Sequence, residues 1–212
     1  MAVMNDVHSS TASIFLLRHG HVQCGAERRF IGRSDVPLSP DGLKQAHDWA
    51  HWFSRRPPAR VVSSDLSRAR RTAEIIGGRC GVPVETMAGL REIDLGGWEG
   101  LAFETVRERF PGDFERRGAD MADFRPPGGE SFGDLQLRAV AAFGICLERT
   151  PGSLLIVSHA GVIRVLLCHL LGMPLANLFR LGQICGTLTI IRRRGPDLQI
   201  EAMNMAPPRA IE

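Results

Sequence analysis

Ser13–Gly20 reads SIFLLRHG, and the fold is decided there. The apolar run Ile14 to Leu17 stops abruptly at Arg18, His19 and Gly20. An unbroken apolar run of this length fits a strand covered on both faces. Such a strand delivers an always-charged guanidinium and an imidazole side by side at its carboxyl end. Gly20 then lets the backbone turn sharply or come close to a ligand. Two later stretches repeat the design. Val61 and Val62 lead into Ser63-Ser64-Asp65, with Arg68 soon after, and Leu154–Val157 leads into Ser158, His159 and Gly161.

Working outward, helical periodicity separates the strands. Ser39 and Pro40 start a helix as N-cap and first helical residue, with Leu43, Ala46, Ala50 and Phe53 on one face, and Pro57-Pro58 ends it. A second helix is expected from Ser63-Ser64-Asp65 to about Ile76, stopped by Gly77-Gly78. Val82 to Met87 reads as a third strand, Leu90–Gly100 (LREIDLGGWEG) as an ordered loop, and Leu101 to Phe110 as a short helix. Ser131 caps a long helix with Asp134 three residues on, as in a capping box. Its apolar face is Phe132, Leu135, Ala139, Phe143 and Cys146. Helices follow at about Gly161 to Leu171 and near Leu175 to Phe179. Thr187 to Arg192 and Leu198 to Ala202 form a hairpin or edge strands. Strands alternating with helices predict an α/β fold, a three-layer α/β/α sandwich on a mostly parallel sheet. The expected organisation is one domain over residues 1–212, with residues 1–12 a loose leader and 85–129 an insertion over the sheet.

Composition narrows the class. At 212 residues, 44% hydrophobic and 23% charged, the chain can bury a sizeable core. A net charge of +3 argues against nucleic acid or a membrane surface as the main partner. Lysine and arginine together number 26, and all but Lys44 are arginine. Guanidinium groups suit bidentate phosphate binding, so their positions decide their meaning. The five cysteines are odd in number and lack any C-x-x-C spacing, which reads as reduced thiols in a cytoplasmic protein without a disulfide frame or zinc site. The N-terminal apolar stretch is too short for a signal peptide, and His159 and Arg164 break the apolar region Ser153 to Leu171.

In an open parallel sheet, ligands bind outside the carboxyl ends of the strands. Two sequence-distant histidines, His19 and His159, and two arginines, Arg18 and Arg68, therefore meet at one edge. Two helix N-termini point into the same place, and such termini bind anions. The expected site is a phosphate pocket.

The motifs LLRHG (Leu16 to Gly20), GRSDVPLS (Gly32 to Ser39), SSDLSRARRTAE (Ser63 to Glu74), LREIDLGGWEG, PPGGES (Pro126 to Ser131) and VSHAGVIR (Val157 to Arg164) stand in an order that resembles the histidine phosphatase superfamily, the phosphoglycerate-mutase-like fold. Their combination with SHAGVIRVLLCHLLGMP most resembles the alpha-ribazole phosphatase subgroup. The resemblance implies metal-independent phosphomonoester hydrolysis through a phosphohistidine on His19, with no cofactor. Arg18, Arg68 and His159 would hold the phosphoryl oxygens, and Glu92 would serve as acid and then base. It further implies a small phosphorylated metabolite as partner, with monomer or homodimer left open. A broad-specificity phosphatase, a phosphoglycerate mutase and a non-catalytic phospho-ligand binder are the alternatives. Two positions depart from the family. His21 and Val22 stand where Glu or Gln and then Thr follow RHG, and Gly25 stands where an Asn touches phosphate.

Arg33 reaches the phosphate from its loop or forms a structural salt bridge. His21 lines the entrance or is an exposed loop residue. His47 and His51 have the i, i+4 spacing of metal ligands without an evident third ligand. Trp98 is read as packing for the Glu92 loop, and Ser131 as a cap.

Overall fold

The computed structural model describes residues 11–23 and 27–207. One six-stranded sheet runs through them in the order β3-β2-β4-β1-β5-β6. The strands are β1 (Thr11–Arg18), β2 (Arg60–Ser63), β3 (Val84–Thr86), β4 (Leu154–Ser158), β5 (Leu188–Arg194) and β6 (Asp197–Met205). The first four strands are mutually parallel, and β5 and β6 add an antiparallel hairpin beside β1. The sheet is thus mixed, with its parallel part forming the side that matters for the site.

Alternation along β1 builds the layers. Phe15 and Leu17 face one way, against Trp49 and Phe53 of α1 (Pro40–Ser54) and Ala73 and Ile76 of α2 (Ser67–Cys80). Ile14 and Leu16 face the other way, against Leu135 and Phe143 of α5 (Phe132–Glu148) and Val162 and Leu166 of α6 (Ala160–Leu171). Every residue of β4 is buried. Burying each such side chain contributes about 1.5–3 kcal/mol, so the strand that carries His159 at its end is held firmly.

The side-chain caps form where expected. Ser39 Oγ accepts the Gly42 amide at 3.1 Å, and Ser131 Oγ accepts the Asp134 amide at 3.1 Å while Asp134 accepts the Ser131 amide at 2.9 Å. Five expectations need correction. Thr11 and Ala12 pair with Arg194 and Arg193, so they belong to β1 and not to a leader, whose remaining residues lie outside the described ones. Helix α2 begins at Ser67, because Asp35 from the preceding loop takes the Ser67 amide at 2.9 Å. It then runs through Gly77-Gly78 and ends at Gly81, whose φ of 69° the glycine alone makes cheap. Glu85 and Thr86 lie within β3, so the segment over the sheet starts after them. That segment holds two short helices, α3 (Phe103–Arg109) and α4 (Asp113–Ala119), of which only the first was expected. Among the described residues no helix is long and apolar enough to cross a membrane.

Candidate active site

Strand register assembles the site. Parallel β1 and β4 pair Arg18 with Ser158, and the His19 amide donates to Ser158 O at 3.0 Å. The residues that follow, His19 and His159, therefore emerge side by side, with ring centroids 5.2 Å apart. On the far side of β4, the Ser64 amide bonds Val157 O at 3.0 Å, which brings the Ser64 hydroxyl to 2.8 Å from His159 Nε2.

These contacts fix where the protons sit. His19 Nδ1 lies 2.7 Å from the carbonyl oxygen of Gly20. A carbonyl can only accept, so Nδ1 carries the hydrogen and Nε2 keeps a free lone pair. The Ser64 hydroxyl also accepts the Leu66 amide at 3.3 Å and can donate its own hydrogen to His159 Nε2. His159 then bears its proton on Nδ1, a buried atom with no protein partner. Burial lowers the pKa of both rings well below the ordinary histidine value. The charges of Arg18 and Arg68 lower that of His19 further, and His19 itself adds to the effect on His159. Both imidazoles are neutral at physiological pH.

Two cations flank the rings. Arg68 is 2% exposed, and its Nη1 and Nη2 donate to Ser34 O at 2.7 Å and Gly32 O at 2.6 Å. Glu99 holds that loop in turn, accepting the amides of Gly32, Arg33 and Ser34. Burial pushes the Glu99 carboxyl up, but hydrogen bonds from Ser34, Arg33 and Leu95 outweigh it and hold the group below its ordinary value. Arg18 donates from Nη1 to Gln183 O, and its Nε is buried without a partner. Arg18 Nε and His159 Nδ1 are thus two buried donors without a protein partner, on residues that adjoin His19 in sequence and across the strand pair.

Glu92 closes the other side. Its Oε2 accepts the Gly161 amide at the start of α6 at 3.0 Å. A Cβ on Gly161 would sit 2.2 Å from Glu92 Oε1, so only glycine leaves room for this carboxylate. The backbone around Glu92 is held by Arg138, which donates to the carbonyls of Gly89, Arg91 and Glu92 and pairs with Glu130 at 2.8 Å. Asp65 adds a bidentate pair with Arg91.

Arg33 and His21 stand differently. Arg33 pairs with Asp94 at 2.9 Å and Glu130 at 3.0 Å, which is its salt-bridge reading; these bonds tie it to the Glu92 loop. His21 is exposed and bonds Ser39 Oγ at 2.8 Å, at the start of α1. The close approach at Gly20 is to Gly42 of α1, since a Cβ there would meet Gly42 O at 2.4 Å. Gly25 lies outside the described residues. His47 and His51 are exposed on α1, and Trp98 is fully buried against Phe30 and Phe124. Sequence reasoning placed Ser64 at a strand end without its bond to His159, missed the part Glu99 plays in holding the Arg68 loop, and missed Arg138 altogether. Their partners are backbone atoms and side chains far along the chain, and no local pattern announces such contacts.

Residues 14–206 match the Histidine phosphatase superfamily (branch 1). A protein of Salmonella paratyphi C (strain RKS4594), named "Probable phosphoglycerate mutase GpmB", is 38% identical over 162 residues, 76% of this chain and 75% of that one. The solved mycobacterial glucosyl-3-phosphoglycerate phosphatase superposes with a TM-score of 0.81 at 30% identity, covering 92% of this chain and 100% of its own. A structure described as a putative alpha-ribazole-5'-P phosphatase, from Escherichia coli K-12, superposes at 0.84 with 24% identity, covering 91% and 96%, which is a likeness of fold. The chain belongs to the histidine phosphatase superfamily, branch 1, and is an enzyme of that phosphatase family.

Proposed function

We propose that the chain hydrolyses small phosphomonoesters through a phosphohistidine on His19. One observation carries the reading: the Gly20 carbonyl takes the Nδ1 hydrogen of a buried, neutral His19, so Nε2 is a ready nucleophile. His19 Nε2 attacks phosphorus as the bond to the leaving oxygen breaks. Arg18, Arg68 and His159 Nδ1 hold the non-bridging oxygens, where charge spreads in the transition state. The Glu92 carboxyl gives its proton to the leaving oxygen and then takes one from the water that attacks phosphohistidine. Cleavage of the N–P bond releases phosphate and restores His19. Arg33 and His21 act at one remove, through the Glu92 loop and the start of α1.

Two substrate readings follow from particular observations. The sequence combination GRSDVPLS, PPGGES and SHAGVIRVLLCHLLGMP favours alpha-ribazole 5'-phosphate, a step of cobalamin synthesis in a cytoplasmic setting. The names of the Salmonella and mycobacterial relatives favour a phosphoglycerate compound, as substrate of a mutase or of a phosphatase. The test is turnover of an aryl phosphate with excess chelator present. Release of phosphate by the wild type and its loss in His19→Ala support the proposal; turnover that survives His19→Ala overturns it. A panel with alpha-ribazole phosphate and 3-phosphoglycerate, scored for hydrolysis and isomerisation, separates the substrate readings.

A further inference from the structure

The cavity at Glu92 is larger than a phosphoryl group requires. It measures about 590 Å³, within the range that admits a drug-sized ligand. Arg18, Glu92 and Gly161 line it together with Phe30, Phe132 and Phe179 and four further cations. Arg29 is paired with Glu27 at 2.6 Å and Arg28 lies over Phe103, while Arg117 of α4 and Arg164 of α6 gather at the phenyl rings beside Glu92. The Arg117 guanidinium stacks 5.5 Å from the centre of Phe30, 5.9 Å from Phe132 and 5.7 Å from Phe179. Arg164 lies 5.1 Å from the same Phe179 ring and spends its Nε on Leu181 O at 2.9 Å.

Two cations therefore share one aromatic ring, and among the described residues neither forms a salt bridge. Glu92 is the one carboxylate among the described lining residues, and it is already engaged by the Gly161 amide. Phenyl rings cover the face of a guanidinium and leave its in-plane N–H groups free. Burial lowers the pKa of both groups, and the charge of Arg18 adds to this at Arg164. Partly desolvated cations with unused, planar donors bind a carboxylate or phosphate strongly and in a set orientation. A neutral ligand filling the cavity would strip more water from them and return nothing.

We infer that Arg117 and Arg164 form a second anion subsite: the substrate is a phosphomonoester whose leaving group carries, beyond an apolar or ring-like spacer, a carboxylate or a second phosphate. This rests on the phosphatase reading and deepens it. The Phe30, Phe132 and Phe179 rings contact the spacer while His19 works at the other end.

The test compares substrates matched in leaving-group chemistry: benzyl phosphate, 4-carboxybenzyl phosphate, and the bisphosphate of 1,4-benzenedimethanol. In the wild type, kcat/KM for at least one compound bearing the second anionic group exceeds that for benzyl phosphate by about 10- to 100-fold, the range of a charge-assisted bond. The arm that gains most identifies the second group as carboxylate or phosphate. In Arg117→Gln, and separately in Arg164→Gln on a different helix, this ratio collapses toward one, mainly through KM. A wild-type ratio near or below one, or a ratio that survives both substitutions, overturns the inference. Calorimetric titration with the matching benzylphosphonates reads the same ratio as Kd, independently of turnover. A retained Kd ratio without hydrolysis sinks the phosphatase reading and keeps the subsite; hydrolysis without any ratio does the reverse.

Discussion

His19 and His159 show how much a single backbone atom decides. The Gly20 carbonyl sets the tautomer of His19, and burial keeps both rings neutral. Unfolded histidine titrates near the ordinary value of about 6.5, whereas both folded pKa values lie well below it. As pH falls through about 6.5, the unfolded chain takes up protons that the folded chain refuses, so stability drops and keeps dropping until the folded values are reached. Urea midpoints taken near pH 7.5 and near pH 5.5 should fall between the two for the wild type, and fall less for His159→Gln. The same neutrality predicts that the acid limb of kcat/KM lies below about 6.5. Gly161→Ala offers a second test, because its methyl would drive Glu92 off the α6 amide. An aryl phosphate with a good leaving group needs little protonation, so dephosphorylation suffers more. Turnover should fall by about two orders of magnitude while phosphohistidine accumulates, as rapid-quench sampling would show. His19, Arg18 and His159 were legible because each lies at or just beyond the end of an apolar run. The dual placement of Arg33 was not, since nothing near it in sequence reveals Asp94 and Glu130 as its partners.

Among the elements, legibility followed local chemistry. Helices α1 and α5 announce themselves by serine caps and apolar spacing, and both begin where those signals stand. Helix α4 gave no such signal: none of its residues is fully buried, and it opens at Gly112 with φ of 84°. Gly77-Gly78 misled for the opposite reason. A Cβ at Gly77 would meet Val82 O at 2.6 Å, so this glycine serves close packing inside the helix and not its end. The loop bearing Gly32 and Ser34 gives a prediction of its own. In Glu99→Gln an amide NH₂ replaces one acceptor among four backbone N–H donors, costing about 1–3 kcal/mol in urea unfolding. Arg68 loses its seat on the Gly32 and Ser34 carbonyls, so KM for an aryl phosphate should rise. Ser131→Ala, by contrast, should cost about 1 kcal/mol through the lost cap of α5, with KM unchanged.

For the molecule as a whole, the parallel register of β2, β4 and β1 brings the ends of three separated sequence runs together at one edge of the sheet. Strand periodicity and the alternation with helices foretold this convergence, and the β5–β6 hairpin too; the hairpin's place beside β1 and the aromatic, arginine-lined cavity were beyond it, because they depend on how distant surfaces meet. A site built from cations and unpartnered donors should bind inorganic phosphate in the folded state alone. Phosphate should therefore raise the unfolding temperature in proportion to RT ln(1 + [L]/Kd), and do so far less in Arg68→Gln. The most direct measurement is intact-protein and peptide mass spectrometry of the enzyme quenched at alkaline pH during turnover of a phosphomonoester. The account predicts one added phosphoryl group, acid-labile and located on His19, that is absent from His19→Ala. Turnover with no phosphoryl group on the protein, or with one located on any other residue, would contradict it.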